Sequence, residues 1–505
     1  MVARIASVAL VGMEALPVEV EVDLARGLEE FHIVGLPSRA VREARQRVRS
    51  AIVNAEQVWP KLKIIVNLAP GDLRKEGSLL DLPVAVGVLA AHGSIRLAPD
   101  RRFIMLGELA LDGRVRPVRG ALPASLAARG AGADALVVPS ENAQEARLVP
   151  GVRVVGVGSL AEALAVVTGR AGLPPAVAPP LELLLAAGPA AGAPDLADVR
   201  GQALARRGLE IAAAGGHNLL LVGPPGCGKT MLARRLPGIL PPMTPDEALE
   251  VTHVWSVAGL LGSEGSLVVR RPFRSPHHHA SAAAVIGGGS PVPRPGEVSL
   301  ANHGILFLDE LPLFTAAVLE GLRQPLEEGV VTIARQGATV RFPARTQLVA
   351  AANPCPCGRL GDRRNPCACP PGRLESYRSR LSGPLLDRID LHVEVAMLSE
   401  AELTSVGPSE PSAEVRRRVA AARSRQQQRA EERAGCERHP PPFASLDAAA
   451  RRLLEHALAR SPTSARGFEK VLRVARTIAD LEGVELVGDG HLAEALQFRE
   501  SAWAM

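Results

Sequence analysis

The sequence predicts a multidomain α/β protein that ends in a helical segment. Three observations carry that expectation. β-like runs alternate with helix-like ones up to about residue 395 of the 505. One apolar strand, Leu219 to Val222, runs straight into a glycine-rich loop and a helix. Beyond residue 395 the apolar residues follow a helical period. With 47% hydrophobic and 22% charged residues, the chain can bury a large core, which excludes a disordered tail protein. No apolar run reaches the ~18 residues needed to span a bilayer. The acidic alternation of Pro17 to Leu24 reads as a strand, not as the exit site of a signal peptide. A soluble, cytoplasmic protein without a membrane partner is therefore expected.

Taken in order, residues 1–170 alternate VEVEVDL, KIIVNLAP, DALVVPS and VRVVGV with helical stretches such as SRAVREARQRVRSAIVNA, a mixed α/β unit. Residues 171–195 repeat proline, alanine and glycine and read as a linker, with room for one short apolar helix at Leu181 to Ala187. Residues 196–395 form a second α/β unit. In 396–505, a capping box at Ser399 and helices over Ala413 to Gly435, Leu446 to Arg460 and Ser464 to Gly483 are expected. The net charge of +5 identifies no partner. Five lysines stand against 53 arginines, a bias that a GC-rich genome explains. Against it, a retained lysine draws attention, because ammonium and guanidinium are not interchangeable.

The run LLLVGPPGCGKTMLARRL places Gly223, Gly228, Lys229 and Thr230 in the G-x-x-x-x-G-K-[ST] pattern, between strand and helix. Backbone N–H groups of the loop Gly223-Pro224-Pro225-Gly226-Cys227-Gly228 can close around phosphate oxygens, and the helix N-terminus adds partial positive charge. Lys229 is expected to neutralise the β- and γ-phosphates, and the Thr230 hydroxyl to ligate Mg2+. GILFLDELP supplies the acidic partner: Asp309 to hold the metal through water, Glu310 to polarise the attacking water. These motifs predict a nucleoside-triphosphate hydrolase.

Six cysteines are too few for a secreted disulfide scaffold of this size. Four of them, Cys355, Cys357, Cys367 and Cys369, form two C-x-C pairs across a short polar loop. Four thiolates suit a structural, tetrahedral Zn2+, although C-x-C is tighter than the usual spacing. Four reduced thiols are the alternative.

Beyond these motifs, DVRGQALARRGLEIAAAGGHNLLLVGPPGCGKT, RPFRSPHHHAS, IGGG, PGEVSLANHGILFLDELP, LRQPLEEG, AANPCPCG and GPLLDRIDLHVEV resemble the magnesium-chelatase-like branch of the AAA+ ATPases, within it the YifB/ComM group. The resemblance covers the whole chain. It implies an AAA+ core hydrolysing ATP with Mg2+, a C-terminal helical lid and a hexameric ring. It also implies Asn353 as the residue orienting the lytic water, Arg388 in LLDRID as a finger reaching a neighbouring subunit, with Arg380 second to it, and Arg466 in SARGFEK as the lid arginine. The ComM group implies a DNA motor promoting branch migration in natural transformation. A chelatase-type motor or a protein-remodelling ATPase acting on a protein partner is the alternative.

PFRSPHHHASAAAVIGGGSPVPRPGE and RQGATVRFPART resemble this branch's pore-facing insertions, making Arg274, His277, His278 and Arg294 candidate contacts to a DNA backbone. Neighbouring histidines along a loop are not expected to converge on one metal ion, and His279 replaces an expected small hydroxyl residue. With 3% aromatics, any grip on single-stranded or branched DNA is expected to be electrostatic, with help from Arg416, Arg417, Arg418, Arg423 and Arg425. The N-terminal unit resembles the Lon protease domain, but Leu79 and Leu122 stand where its serine and lysine would be. A scaffold that no longer cleaves is expected; Ser78 with Lys75 is the one displaced dyad to consider.

Overall fold

The first strand pair is an antiparallel ribbon. β1 (Ala3–Val11) and β2 (Glu14–Ala25) register from Ala3 opposite Val22 to Val11 opposite Glu14. Along β2 Val18, Val20 and Val22 are buried while Glu19 is exposed, the alternation of a half-covered sheet. β3 (Phe31–Val34), β4 (Lys63–Ala69), β5 (Phe103–Met105), the small hairpin β6 (Glu108–Leu109) with β7 (Val115–Arg116), β8 (Ala135–Pro139) and β9 (Val154–Val157) follow. Seven of these nine form one mixed sheet in the order β3-β4-β2-β1-β5-β8-β9. This is a computed structural model; it describes residues 2–185, 194–261, 267–289, 292–335, 338–360, 366–398, 409–434, 446–460 and 465–499.

The second sheet is wholly parallel. β10 (Leu219–Val222), β11 (Phe273–Arg274), β14 (Ile305–Leu308), β17 (Gln347–Ala352) and β18 (Leu391–Glu394) lie in the order β11-β14-β17-β10-β18. Every residue of β10, β14 and β17 is buried, as expected of strands covered on both faces. The carboxyl ends of these three neighbours open side by side, where parallel α/β sheets bind ligands. Two hairpins project from this unit: β12 (Gly287–Gly288) with β13 (Arg294–Pro295), and β15 (Val330–Arg335) with β16 (Ala338–Pro343).

The C-terminal segment is helical: Ser412–Ala434, Ala448–Arg460, Ala465–Glu482 and Asp489–Gln497. Val415, Val419, Val471, Val474 and Ile478 pack with Leu209 and Ile211 of helix Ala203–Gly215 in one core. The buried Asp480 carboxylate holds Arg429 through two bonds of 2.8 and 2.7 Å. The capping box expected at Ser399 lies outside the described residues. The short apolar helix of the linker runs Leu181–Leu185, and Leu181, Leu184 and Leu185 pack against the N-terminal core.

Helix Pro245–Ala258 belongs by sequence to the second unit but packs with the first. A capping box of Thr244 and Glu247 and a proline in its first turn start it, and Gly259, at φ +72°, stops it. Met243, Ala248, Val251 and Leu267 join the core of the N-terminal sheet. At the helix end the Ser256 hydroxyl bonds the buried Glu145 carboxylate, while the Ser256 carbonyl accepts from the Gly120 amide at 3.1 Å. Burial pushes the Glu145 pKa up, against hydrogen bonds from Ser256 and the Leu122 amide. Composition places a boundary near residue 196 and does not register this seam.

Candidate functional site

The phosphate loop follows β10. Its shape requires glycine at Gly223, where an added Cβ would lie 2.2 Å from the Val395 carbonyl oxygen, and at Gly228, where φ is +97°. Lys229 opens the next helix, and its ammonium donates to the carbonyls of Gly223 at 2.7 Å and Pro224 at 2.8 Å and to Asn353 Oδ1 at 3.1 Å. Cys227 Sγ stands 3.7 Å from the same nitrogen; burial raises its thiol pKa. The Thr230 hydroxyl donates to Asp309 Oδ2 at 2.7 Å, so the two expected magnesium ligands, one from the loop and one from the end of β14, are adjacent. Glu310 adopts φ +53°, a left-handed conformation that costs a non-glycine residue roughly 1–3 kcal/mol. Its amide bonds Asp309 Oδ1 at 3.0 Å. Lys229, Thr230, Asp309, Glu310 and Asn353, from three strand ends, line one cavity of about 660 Å³.

Asn353 is braced from behind. Tyr377, the single tyrosine of the chain, donates its hydroxyl to the Asn353 carbonyl at 3.2 Å, and burial pushes its pKa up to about 12. The sequence marks this residue as the single tyrosine, an argument against base stacking, and gives it no role at this site.

The cysteine pairs converge beside it. Cys355 Sγ lies 3.3 Å from Cys357 Sγ and 3.6 Å from Cys367 Sγ, Cys357 lies 3.5 Å from Cys367, and all four sulfurs fall within 4.8 Å of one another. Four sulfurs on a tetrahedral zinc with bonds of ~2.3 Å sit ~3.8 Å apart, so the donor set fits. The Arg359 amide and the neighbouring sulfurs bring the Cys357 thiol down to about 6. Gly358, at φ +76°, packs on the phosphate loop so closely that an added Cβ would meet Pro225 Cδ at 2.4 Å. The cluster therefore abuts the phosphate loop as well as the strand end carrying Asn353.

The predicted arginines are placed differently. Arg388 is absent from the lining of the cavity that holds Lys229 and Asp309. Its guanidinium pairs with Glu327 at 2.7 Å, donates to the Pro384 carbonyl at 2.6 Å and is 14% exposed. With Lys470 and Arg473 it lines a separate cavity of about 230 Å³. Arg380 donates to the Pro312 carbonyl at 3.3 Å. Arg466 is the second residue of helix Ala465–Glu482; its side chain lies outside the described residues.

Several expected DNA contacts are otherwise engaged. Arg274 is held by Glu297 at 2.5 and 2.8 Å. His277 and His278 line the same cavity as Lys229 and Asp309. The basic helix is largely spent on its own chain: Arg416 bonds the Gly238 carbonyl, Arg418 bonds Glu210 and Glu410, Arg423 bonds the Ala213 carbonyl and Arg425 the Asp480 carbonyl. Arg417 pairs with Glu414 on the same helix. Arg294 remains, facing a cavity of about 580 Å³ with Arg119 between the two units.

The displaced dyad does not form. Lys75 is fully buried with its ammonium on the carbonyls of Leu68, at 2.8 Å, and Pro70, whereas the Ser78 hydroxyl bonds Glu108. Leu79 and Leu122 are core residues. Among the described residues no helix is long and apolar enough to cross a membrane.

Three family models match separate stretches of the chain. Residues 195–403 match magnesium chelatase subunit ChlI, residues 20–142 match a second model for subunit ChlI of Mg-chelatase, and residues 409–499 match the ChlI C-terminal model. The chain is 43% identical to the competence protein ComM of Haemophilus influenzae, over 97% of this chain and 96% of that one. It is 42% identical to the uncharacterized protein YifB of Escherichia coli, again over 97% and 96%. Over 146 residues it is 26% identical to Lon protease 2 of Bacillus subtilis, 27% of this chain and 26% of the protease.

Proposed function

Since the chain belongs to the YifB/ComM family of magnesium-chelatase-like proteins, we propose that it is a Mg2+-dependent ATPase whose turnover drives a ComM-type DNA motor, working as a hexameric ring in branch migration. The observation that carries the reading is the convergence of Lys229, Thr230, Asp309, Glu310 and Asn353 on one cavity. Thr230 and Asp309 would hold the Mg2+ of bound Mg-ATP, which offsets phosphate charge. Lys229 neutralises the β- and γ-phosphates, Asn353 orients the lytic water, and Glu310 takes its proton as it attacks the γ-phosphorus, with ADP leaving. Arg388 serves the neighbouring subunit's site and Arg466 closes the lid. In this reading residues 1–170 are a Lon-like unit without proteolysis, residues 196–395 the AAA+ core and residues 396–505 the lid.

A protein client is the second reading, favoured by the number of basic side chains engaged within the chain. One experiment separates the two: ATP hydrolysis with and without single-stranded and four-way-junction DNA across a salt series. Stimulation that fades with salt supports a backbone-gripping motor. Basal hydrolysis by assembled rings that DNA leaves unchanged transfers the reading to a protein partner.

The cysteine cluster is read as a structural zinc site. Protein purified without chelator is expected to carry about one zinc per chain, and less than about half would leave four free thiols. Cys355→Ser is expected to lose the metal. Because Gly358 packs on Pro225, that variant is also expected to bind ATP more weakly, which equilibrium binding of a fluorescent ATP analogue would register.

A further inference from the structure

The consecutive residues His277, His278 and His279 were not expected to converge, because neighbours in an extended loop point apart. Here the chain turns: the Ala280 amide bonds the His277 carbonyl at 2.8 Å, closing a β-turn over the three. Their ring centroids lie 4.2, 4.4 and 5.2 Å apart, and one ring nitrogen of each falls within 4.8 Å of the other two. His277 Nδ1 accepts the His279 amide at 3.3 Å; a neutral ring has a single lone pair, so ligation through either ring nitrogen displaces this one bond. His278 is the inward member, its ring edge-on to Phe314, and its Nδ1 lies 3.4 Å from Glu310 Oε2. Two ligand atoms sharing a tetrahedral cation at bonds of ~2.0–2.2 Å stand ~3.3–3.6 Å apart, so the spacing of that pair is already that of co-ligands.

We propose that the three histidines form a second metal site, for a borderline divalent cation of the Zn2+ class, and that the bound ion recruits Glu310 and halts hydrolysis. The proposal rests on the reading of Glu310 as the group that takes the proton from water. A carboxylate coordinated to a cation shares its charge with the ion and becomes a far weaker base for that proton. Imidazole suits zinc-class ions, whereas Mg2+ prefers oxygen donors, so the Mg2+ of the substrate goes to Thr230 and Asp309 and does not compete for the turn. The site differs from the cysteine cluster in ligand chemistry and in consequence: one has four sulfurs and no open position, the other has nitrogens and borrows its fourth ligand from the catalytic apparatus.

The test uses the full chain, untagged and purified with zinc already in its cysteine cluster, titrated with Co2+. The expected result is about one further Co2+ per chain, with visible bands of nitrogen and oxygen ligation and no thiolate charge-transfer band. ATP turnover at saturating Mg-ATP should fall at least tenfold at Co2+ saturation and recover with chelator. His279→Ser removes one imidazole without touching the cavity lining. It should leave metal-free turnover unchanged while weakening Co2+ binding at least ~10-fold and moving the inhibition curve by the same factor. Co2+ that binds only with thiolate bands, binds without inhibiting, or inhibits His279→Ser equally would overturn the proposal. Were the wild-type chain inactive without Co2+, the hydrolysis reading would fall, and the Co2+ spectra of wild type and His279→Ser would still decide whether the histidines bind metal.

Discussion

Lys229→Ala is expected to cut ATP turnover by about 10²–10³-fold, the scale for losing a preorganised cation aimed at transferring charge. The prediction follows from position. The ammonium is held by two loop carbonyls and by Asn353 Oδ1, so its removal takes away the phosphate counter-charge and also one tether between the phosphate loop and the end of β17. Nucleotide binding should weaken along with turnover, and measuring both on the same preparation checks it. A variant that still hydrolyses at a tenth of the wild-type rate would remove Lys229 from the phosphate site.

Arg388→Ala is expected to have the other large effect, a loss of about 10³-fold in turnover with ATP binding retained, as for an arginine that stabilises transition-state charge from a neighbouring subunit. Within one chain Arg388 is paired with Glu327 and does not line the cavity that holds Lys229 and Asp309. The same result would arise if the ion pair merely held the fold. Glu327→Gln separates these cases, since it breaks the pair and keeps the guanidinium. Turnover in Glu327→Gln near the wild-type level, with Arg388→Ala inactive, supports the finger; equal loss in both assigns Arg388 to structure. Mixing inactive Arg388→Ala with inactive Lys229→Ala chains should restore part of the activity if finger and phosphate loop act across a subunit boundary.

What could be read from the sequence was what is local in the chain. The phosphate loop, the Asp309–Glu310 pair at a strand end and the C-terminal helices each occupy one short run, so spacing alone specifies them. The helix expected at Ala413 to Gly435 lies at Ser412–Ala434. The partners of charged groups were not readable, because they are set by packing between distant runs: Arg418 meets Glu210 from 208 residues away. The histidines failed in a different way. Their convergence depends on one backbone hydrogen bond, from the Ala280 amide to the His277 carbonyl, and no side-chain pattern announces a turn without glycine or asparagine. Tyr377 was visible but mute, since its partner is a carbonyl and any residue offers one.

The seam built by helix Pro245–Ala258 bears on how such a protein can be taken apart or passed on. Residues 243–267 lend four apolar side chains to the first unit's core and a serine to its buried glutamate. A graft that moves the ATPase half to another partner by cutting in the proline-rich stretch would leave Glu145 short of a donor and open the N-terminal core on one side. The two halves of this chain therefore complete each other across the seam, and a cut within the linker is expected to yield two incomplete proteins instead of two portable domains.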